Sequence, residues 1–300
     1  MKLNVGRYIF GVLIIFLFPR LTFAQDESLR TKIAGIIEKA NGRVGVFIEE
    51  MENKDTLTFN NNDHYPMQSV FKFSLALTVL GEVDKGVFTL DQKIHLHKKD
   101  LLPDTWSPIR EKYPDGNIDI PLSELLNYTV SQSDNNGCDI LFRLLGGPAK
   151  VNQFVHSLGI SEMAIVANEE EMHKDWEVQY KNWTTPAAMG QLLCKFVHDS
   201  ILSTPSNGYL WNVMVATTTG AKRIKGQLPA ETIVAHKTGS SGVNDNSIAA
   251  ATNDVGVIML PNGHHLVIVV LVSDSLDDEN TRDGIISGIA KAAWDYYSTL

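Results

Sequence analysis

Ser69-Val70-Phe71-Lys72 is the stretch on which the reading of this chain turns. It follows a turn-rich segment, Asn60-Asn61-Asn62-Asp63-His64-Tyr65-Pro66, and opens an apolar run from Phe71 to Leu80. The pattern predicts a helix over 69–80, and at a helix start residues three apart stand on one face. The Ser69 hydroxyl can then lie beside the Lys72 amine, while the Ser69 N–H is among those a helix leaves unpaired. A hydroxyl is a weak nucleophile until a base takes its proton, and a desolvated lysine is one such base. Alone, an S-x-x-K match arises by chance about once in a chain of this length. The plain alternative is a helix-starting Ser with a solvated Lys one turn on.

Outward from that stretch the pattern changes twice. Towards the N-terminus, Leu29, Ile33, Ile36, Ile37 and Ala40 mark an amphipathic helix. Arg43 to Glu50 and Thr56 to Phe59 read as two strands of a hairpin, joined by the turn Glu52-Asn53-Lys54-Asp55. From Ser69 to about Gly220 the chain reads as helices, at 69–80, 122–131, 136–145, 149–158 and 186–198. The last of these opens with Thr185-Pro186, a capping residue and a Pro at the first helical position. Strands return at Ile233 to His236, Ser247 to Leu260 and His264 to Ser273, the last two joined across Pro261-Asn262-Gly263. A closing helix spans 278–298, with Ile285, Ile286, Ile289, Ala293 and Tyr296 on one face. Strands at both ends with helices between predict one sheet built from the two termini, with a helical block inserted.

The first 24 residues differ in kind. Lys2 and Arg7 precede a short apolar run, Tyr8 to Phe18, and Thr22-Phe23-Ala24 offers small residues for cleavage before Gln25. This is the pattern of a secretory signal peptide, and Pro19-Arg20 breaks a run already short for a membrane anchor. The 300-residue chain carries a net charge of −9. Its signal segment has three basic and no acidic residues, so the mature chain is more acidic still. That balance argues against nucleic acid or an anionic membrane as the main partner. Two cysteines, Cys138 and Cys194, are too few for a disulfide framework, and both sit in apolar helical runs as expected of buried free thiols.

Two further triplets keep company with Ser69. Ser133-Asp134-Asn135 separates two helical runs, and Lys237-Thr238-Gly239 follows the strand ending at His236. Taken singly, the first is an ordinary helix cap and the second a strand-end turn. Together, in this order, S-x-x-K, S-D-N and K-T-G mark class A β-lactamases and penicillin-binding proteins. With these residues in view the chain resembles a class A serine β-lactamase over its whole mature length. Pro66-Met67-Gln68-Ser69, Ala235-His236-Lys237, Ala167-Asn168-Glu169 and Val178-Gln179-Tyr180-Lys181-Asn182-Trp183 resemble the PER/VEB/CfxA-like extended-spectrum branch.

The resemblance implies an α/β domain from residues 25–66 and 220–300, with an antiparallel sheet flanked by helices. A helical domain from residues 67–219 would be inserted into it, and the active site would lie in the cleft between. It implies Ser69 as nucleophile, Lys72 as base or proton relay, Ser133 as proton donor to the lactam nitrogen and Glu169 as base for the deacylating water. Lys237, Thr238, Gly239 and Ser240 would bind the substrate carboxylate, with the Ser69 and Ser240 N–H groups as oxyanion hole. Asn135 would hold the substrate amide, Trp106 the cleft mouth, Arg223 the carboxylate, and His173 would replace the Asn that usually positions the water.

Glu169-Glu170-Glu171 departs from the commoner pattern, since Glu170 stands where a Pro is usual. Glu170 and Glu171 read as solvated loop charges. The implied enzyme is periplasmic and monomeric, takes small-molecule β-lactams, and needs no cofactor. His95-Leu96-His97 places two rings on one strand face, but no third ligand has metal-site spacing, so no metal is expected. Asp277-Asp278-Glu279 reads as acidic residues at the last helix's N-terminus. The alternatives are a DD-peptidase or penicillin-binding protein, disfavoured by the Glu-bearing loop, and a penicillin-sensor domain that acylates without turnover.

Overall fold

The computed structural model describes residues 19–198 and 201–299, with side chains from residue 28 onward. The basic and apolar leader at residues 1–18 lies outside the described residues, and no described helix is long and apolar enough to cross a membrane.

Helix α1 (Pro19–Ile37) buries Leu29 and Ile33, one turn apart, and ends before Ala40. Strands β1 (Arg43–Glu50) and β2 (Asp55–Phe59) form the expected hairpin. The two-residue strand β3 (Tyr65–Pro66) then delivers the chain to a 3-10 turn, Gln68–Val70, and helix α2 (Phe71–Asp84). Ser69 thus sits in the tight turn before the α-helix rather than in its first turn, and the helix runs on past Leu80.

Strand β4 (Lys93–Leu96) pairs with β5 (Ile118–Pro121), with α3 (Pro108–Lys112) between them. Helices α4 (Leu122–Ser131), α5 (Asn135–Leu145) and α6 (Pro148–Ser157) follow. Next come β6 (Met163–Ala164), α7 (Glu169–Lys174) and β7 (Trp183–Thr184), then α8 (Pro186–His198) and α9 (Thr204–Val215). Strands β8 (Val234–Ser240), β9 (Ala249–Met259) and β10 (His265–Ser275) lead to α10 (Glu279–Tyr297).

The five-stranded sheet runs β2-β1-β10-β9-β8, all antiparallel, so strands from both ends of the chain share it. β10 explains why its sequence is apolar at every step rather than at alternate ones. Leu266, Ile268, Val270 and Val272 pack with α1 and α10, while Val267, Val269 and Leu271 join the helical core on the other face. A sheet covered on both faces buries both sets of side chains. On α10 the residue fully buried at the end of the apolar face is Tyr297 rather than Tyr296. Asp278 caps that helix by accepting the Thr281 N–H at 2.8 Å, as the acidic triplet suggested.

Helix α2 is the axis of the helical side, with every residue from Phe71 to Gly81 buried. A helix apolar all round belongs in a core. Lys72 is the exception in it, and an uncompensated buried ammonium costs far more than a fold can spare. Its partners locate the functional site.

Candidate active site

Lys72 is fully buried, and four oxygens surround its Nζ. It donates to Ser69 Oγ at 3.0 Å, to the Ser133 carbonyl at 2.8 Å and to Asn135 Oδ1. Glu169 Oε1 lies 2.9 Å away. That oxygen is buried without a well-angled hydrogen bond, so the ammonium is its close contact and the interaction is an ion pair. One cation thus gathers groups from the nucleophile turn, the segment before α5, and α7.

Two left-handed residues shape this junction. Gln68, with φ +48°, precedes the nucleophile, and Ser133 has φ +59°. Non-glycine residues in this region cost of order 1–3 kcal/mol and persist only where surrounding contacts hold them. Asp134 supplies one such hold. Fully buried, it caps α5 through the Gly137 N–H at 2.8 Å and accepts from Ile109 N at 2.7 Å and Ser107 Oγ at 3.0 Å. Burial pushes its carboxyl above the usual range, and those N–H donors oppose the shift. The capping reading of Ser133-Asp134-Asn135 therefore holds for Asp134, while Ser133 and Asn135 turn their oxygens to Lys72.

β8 forms the opposite wall. It runs on to Ser240, so Lys237-Thr238-Gly239 lies within the strand and not in a turn at its end. Lys237 is buried and donates to Ser133 Oγ at 2.9 Å and to the Thr238 carbonyl at 2.9 Å. Burial, and then the nearby Lys72 charge, lowers its pKa well below the ordinary lysine value. A cleft of about 410 Å³ opens over Ser69, Trp106, Asn135, Glu169, His173 and Ser240. A side recess of about 250 Å³ is walled by the hydroxyls of Ser133, Thr219, Thr238 and Ser240. A nucleophile beside a lysine, a carboxylate on the same lysine and a hydroxyl-lined recess next to Lys237 suit acyl transfer.

Residues 28–297 match the β-lactamase enzyme family. The chain belongs to that family. β-Lactamase VEB-1 of Pseudomonas aeruginosa is 49% identical over 98% of each chain. The extended-spectrum β-lactamase PER-1 of the same organism is 43% identical over 92% of this chain and 89% of its own. A β-lactamase crystal structure from Chitinophaga pinensis superposes with a TM-score of 0.89 at 55% identity, covering 90% of this chain and 99% of that one. The chain is a class A β-lactamase and hydrolyses β-lactams.

In this β-lactamase three of the expected site residues sit differently from the core set. Trp106 is 57% exposed at the cleft rim, its indole N–H donating to the Gln132 carbonyl at 2.9 Å. His173 is exposed on α7 and lines the cleft, but no hydrogen bond joins it to Glu169. Arg223 is buried behind β8. Its guanidinium is held by Asp283 at 2.8 Å and by the Gly239 and Asn253 carbonyls. Only Nη2 reaches the site, through Ser240 Oγ at 2.7 Å. Its contact with the site runs through Ser240.

Three residues of the β-lactamase that the sequence did not single out position the chemistry. Asp139, buried in α5, accepts the Glu169 N–H at 2.8 Å and the Glu170 N–H at 2.9 Å, so one carboxylate holds the first turn of α7. Burial raises its pKa to about 6, with the two amide donors opposing. Asn182 accepts from Val166 N and Ala167 N at 2.8 and 2.9 Å and donates to the Ala167 carbonyl at 2.7 Å. Its own carbonyl takes the Met67 N–H at 2.8 Å, tying the α7 loop to the nucleophile turn. Asn253 on β9 donates to the Pro66 carbonyl at 2.8 Å from beneath. A charged or amide side chain inside an apolar run, as in Cys138-Asp139-Ile140, was the signal available for the first of these. Glu171 is not a plain loop charge either, because it completes a capping box with Asn168.

Proposed function

We propose that this β-lactamase works through a Ser69 acyl-enzyme. The support is one observation: Lys72 Nζ stands 3.0 Å from Ser69 Oγ and 2.9 Å from Glu169 Oε1 at the floor of a single cleft. The Ser69 oxygen attacks the lactam carbonyl and its proton leaves through the Lys72–Glu169 pair. As the ring C–N bond breaks, Ser133 gives its proton to the nitrogen, while Lys237 against the Ser133 oxygen stabilises the developing charge. Ser133 is reprotonated through Lys72 by the proton taken from Ser69, which returns Glu169 to a carboxylate. A water deprotonated by Glu169 then attacks the ester, and the Ser69 oxygen takes back a proton as the penicilloate or its cephalosporin counterpart departs. Thr238, Ser240 and, through Ser240, Arg223 receive the substrate carboxylate in the hydroxyl-lined recess.

The substrate range is proposed to include oxyimino-cephalosporins beside penicillins and simple cephalosporins, on the resemblance to the branch that contains PER-1 and VEB-1. The mature enzyme is proposed to be a periplasmic monomer cleaved after Ala24. Intact mass after incubation with a slowly hydrolysed oxyimino-cephalosporin tests the mechanism. Wild type should gain the mass of the opened drug and lose it with time, and Ser69→Ala should never gain it. An adduct on Ser69→Ala would overturn the assignment. Turnover of penicillins alone would overturn the substrate range.

A further inference from the structure

The geometry points to a divalent-cation site, suited to Zn²⁺, made by Glu50, Glu52 and His264 at the edge of the sheet far from the cleft. One ligand atom from each residue lies within 4.8 Å of the other two. Tetrahedral ligands at about 2.0–2.2 Å from one ion stand about 3.3–3.6 Å apart, so the set closes on an ion with shifts of about 1 Å, the His264 Nδ1 contact to Glu50 Oε1 opening to admit it. Imidazole nitrogen with two carboxylate oxygens is a donor set that first-row divalent ions accept, with water completing the shell.

The ligands are held in place from behind, as metal ligands need to be. Glu50 ends β1 and is only 2% exposed, and its Oε2 receives the Asn53 N–H at 2.8 Å, which leaves Oε1 turned to His264 Nδ1. Glu52 lies in the following turn, and His265 grips both its oxygens. The His265 N–H donates to Oε2 at 2.9 Å and its Nδ1 meets Oε1 at 2.8 Å. His264 belongs to the turn between β9 and β10. Two carboxylates, one of them buried, therefore converge on a histidine from a separate turn. With both imidazoles neutral the four side chains carry two negative charges, which a divalent ion offsets. On binding, the ring proton that faces Glu50 Oε1 from Nδ1 moves to Nε2, and the ion takes the freed Nδ1 lone pair.

The site lies apart from catalysis. β9 places Thr252 opposite Ser240 at the catalytic end, whereas its last residue, Met259, pairs with His265 at the other. Its expected effect is to clip the β1–β2 hairpin to the β9–β10 turn, raising stability without changing hydrolysis.

The test is calorimetric titration of chelator-treated full-length mature enzyme with zinc sulfate, run beside thermal unfolding with and without the metal. Wild type should bind one Zn²⁺ per chain at this site and unfold at higher temperature. His264→Gln and Glu52→Gln should each weaken binding at least tenfold and lose the thermal gain, while hydrolysing a chromogenic cephalosporin at the wild-type rate. A His95→Gln, His97→Gln double variant, which removes the other paired histidines, should still bind. Two Glu–His hydrogen bonds with no metal function would give no saturable binding in wild type, or binding unchanged in His264→Gln and Glu52→Gln. Either result overturns the proposal.

Discussion

In the proposed mechanism Glu169 and Asp139 divide one task between a reacting carboxylate and the carboxylate that aims it. Glu169→Gln preserves shape but removes basicity, so acylation should continue while deacylation slows by about 10²–10⁴, the usual worth of a positioned general base. The acyl-enzyme should then accumulate and be visible by mass, whereas Glu170→Gln, exposed and facing Lys174, should turn over as wild type. Trapping of the ester by Glu170→Gln instead would move the register by one residue. Asp139 offers a pH test. Its folded pKa of about 6 stands above the free value of 3.8. The folded state therefore binds more protons between those values, and stability falls as pH rises through that window. Ionisation of this side chain carries of order 3 kcal/mol of cost above pH 6. Asp139→Asn removes that cost but leaves one acceptor for two α7 amides. Thermal unfolding should show the variant equal to or more stable than wild type at neutral pH, with the difference shrinking below pH 6, while kcat falls. A variant less stable at neutral pH and unchanged in kcat would contradict this account. Ser69, Lys72, Ser133 and Lys237 were legible because their chemistry sits inside short motifs. Asp139, Asn182 and Asn253 were not, because their partners are backbone atoms of segments distant in sequence, which no local spacing encodes.

At the scale of elements, most of the helices and all five strands of the main sheet follow from periodicity and punctuation. Two boundaries do not. The nucleophile turn is 3-10 and not α because β3 and Asn253 pull the backbone at Pro66 and Met67 before α2 begins. β8 continues through Gly239 because β9 offers it partners as far as Thr252. Its glycine had looked like a turn signal, but it answers a close approach. A Cβ at Gly239 would lie 2.5 Å from the Met67 carbonyl oxygen, a contact against backbone that no side-chain rotation relieves. Gly239→Ala should therefore push β8 off the nucleophile turn, separating Lys237 from Ser133 and Ser240 from Ser69. Steady-state kinetics should show kcat/KM reduced at least about tenfold, which corresponds to 1.4 kcal/mol or more of lost transition-state stabilisation. Unchanged kinetics with unchanged thermal stability would mean that the strand yields freely there. The short helix α9 had no separate reading of its own, since Pro205 and Gly208 punctuate a segment that the structure nevertheless winds from Thr204 to Val215 with a Ser203 cap.

The whole molecule is held by apolar burial on two faces of one sheet, and its two thiols add no covalent bond to that. Cys138 is buried in α5, where burial pushes the thiol well above its ordinary pKa and keeps it protonated and unreactive. Cys194, expected to be buried, is only half-buried in α8, and no disulfide joins it to Cys138. The fold should therefore be indifferent to redox conditions even though the chain resembles a secreted one. A chain begun at Gln25 and made in the reducing cytosol should fold with full activity, because it keeps Leu29 and Ile33, the buried residues of α1 among the described side chains. Its unfolding temperature should be the same with and without dithiothreitol. A chain begun after Ile37 is a different case. It uncovers the face of β1 and β10 that α1 and α10 share, and deletes Leu29 and Ile33, which are 3% and 0% exposed. Losing a buried leucine or isoleucine side chain typically costs about 2–5 kcal/mol, against about 5–15 kcal/mol for a whole domain. That shorter chain should be insoluble or inactive. Soluble expression, thermal unfolding and a chromogenic cephalosporin assay on the two truncations decide the matter. A dithiothreitol-sensitive unfolding temperature in the longer chain would reveal a disulfide that this arrangement lacks, and full activity in the shorter one would show that α1 is dispensable to the core.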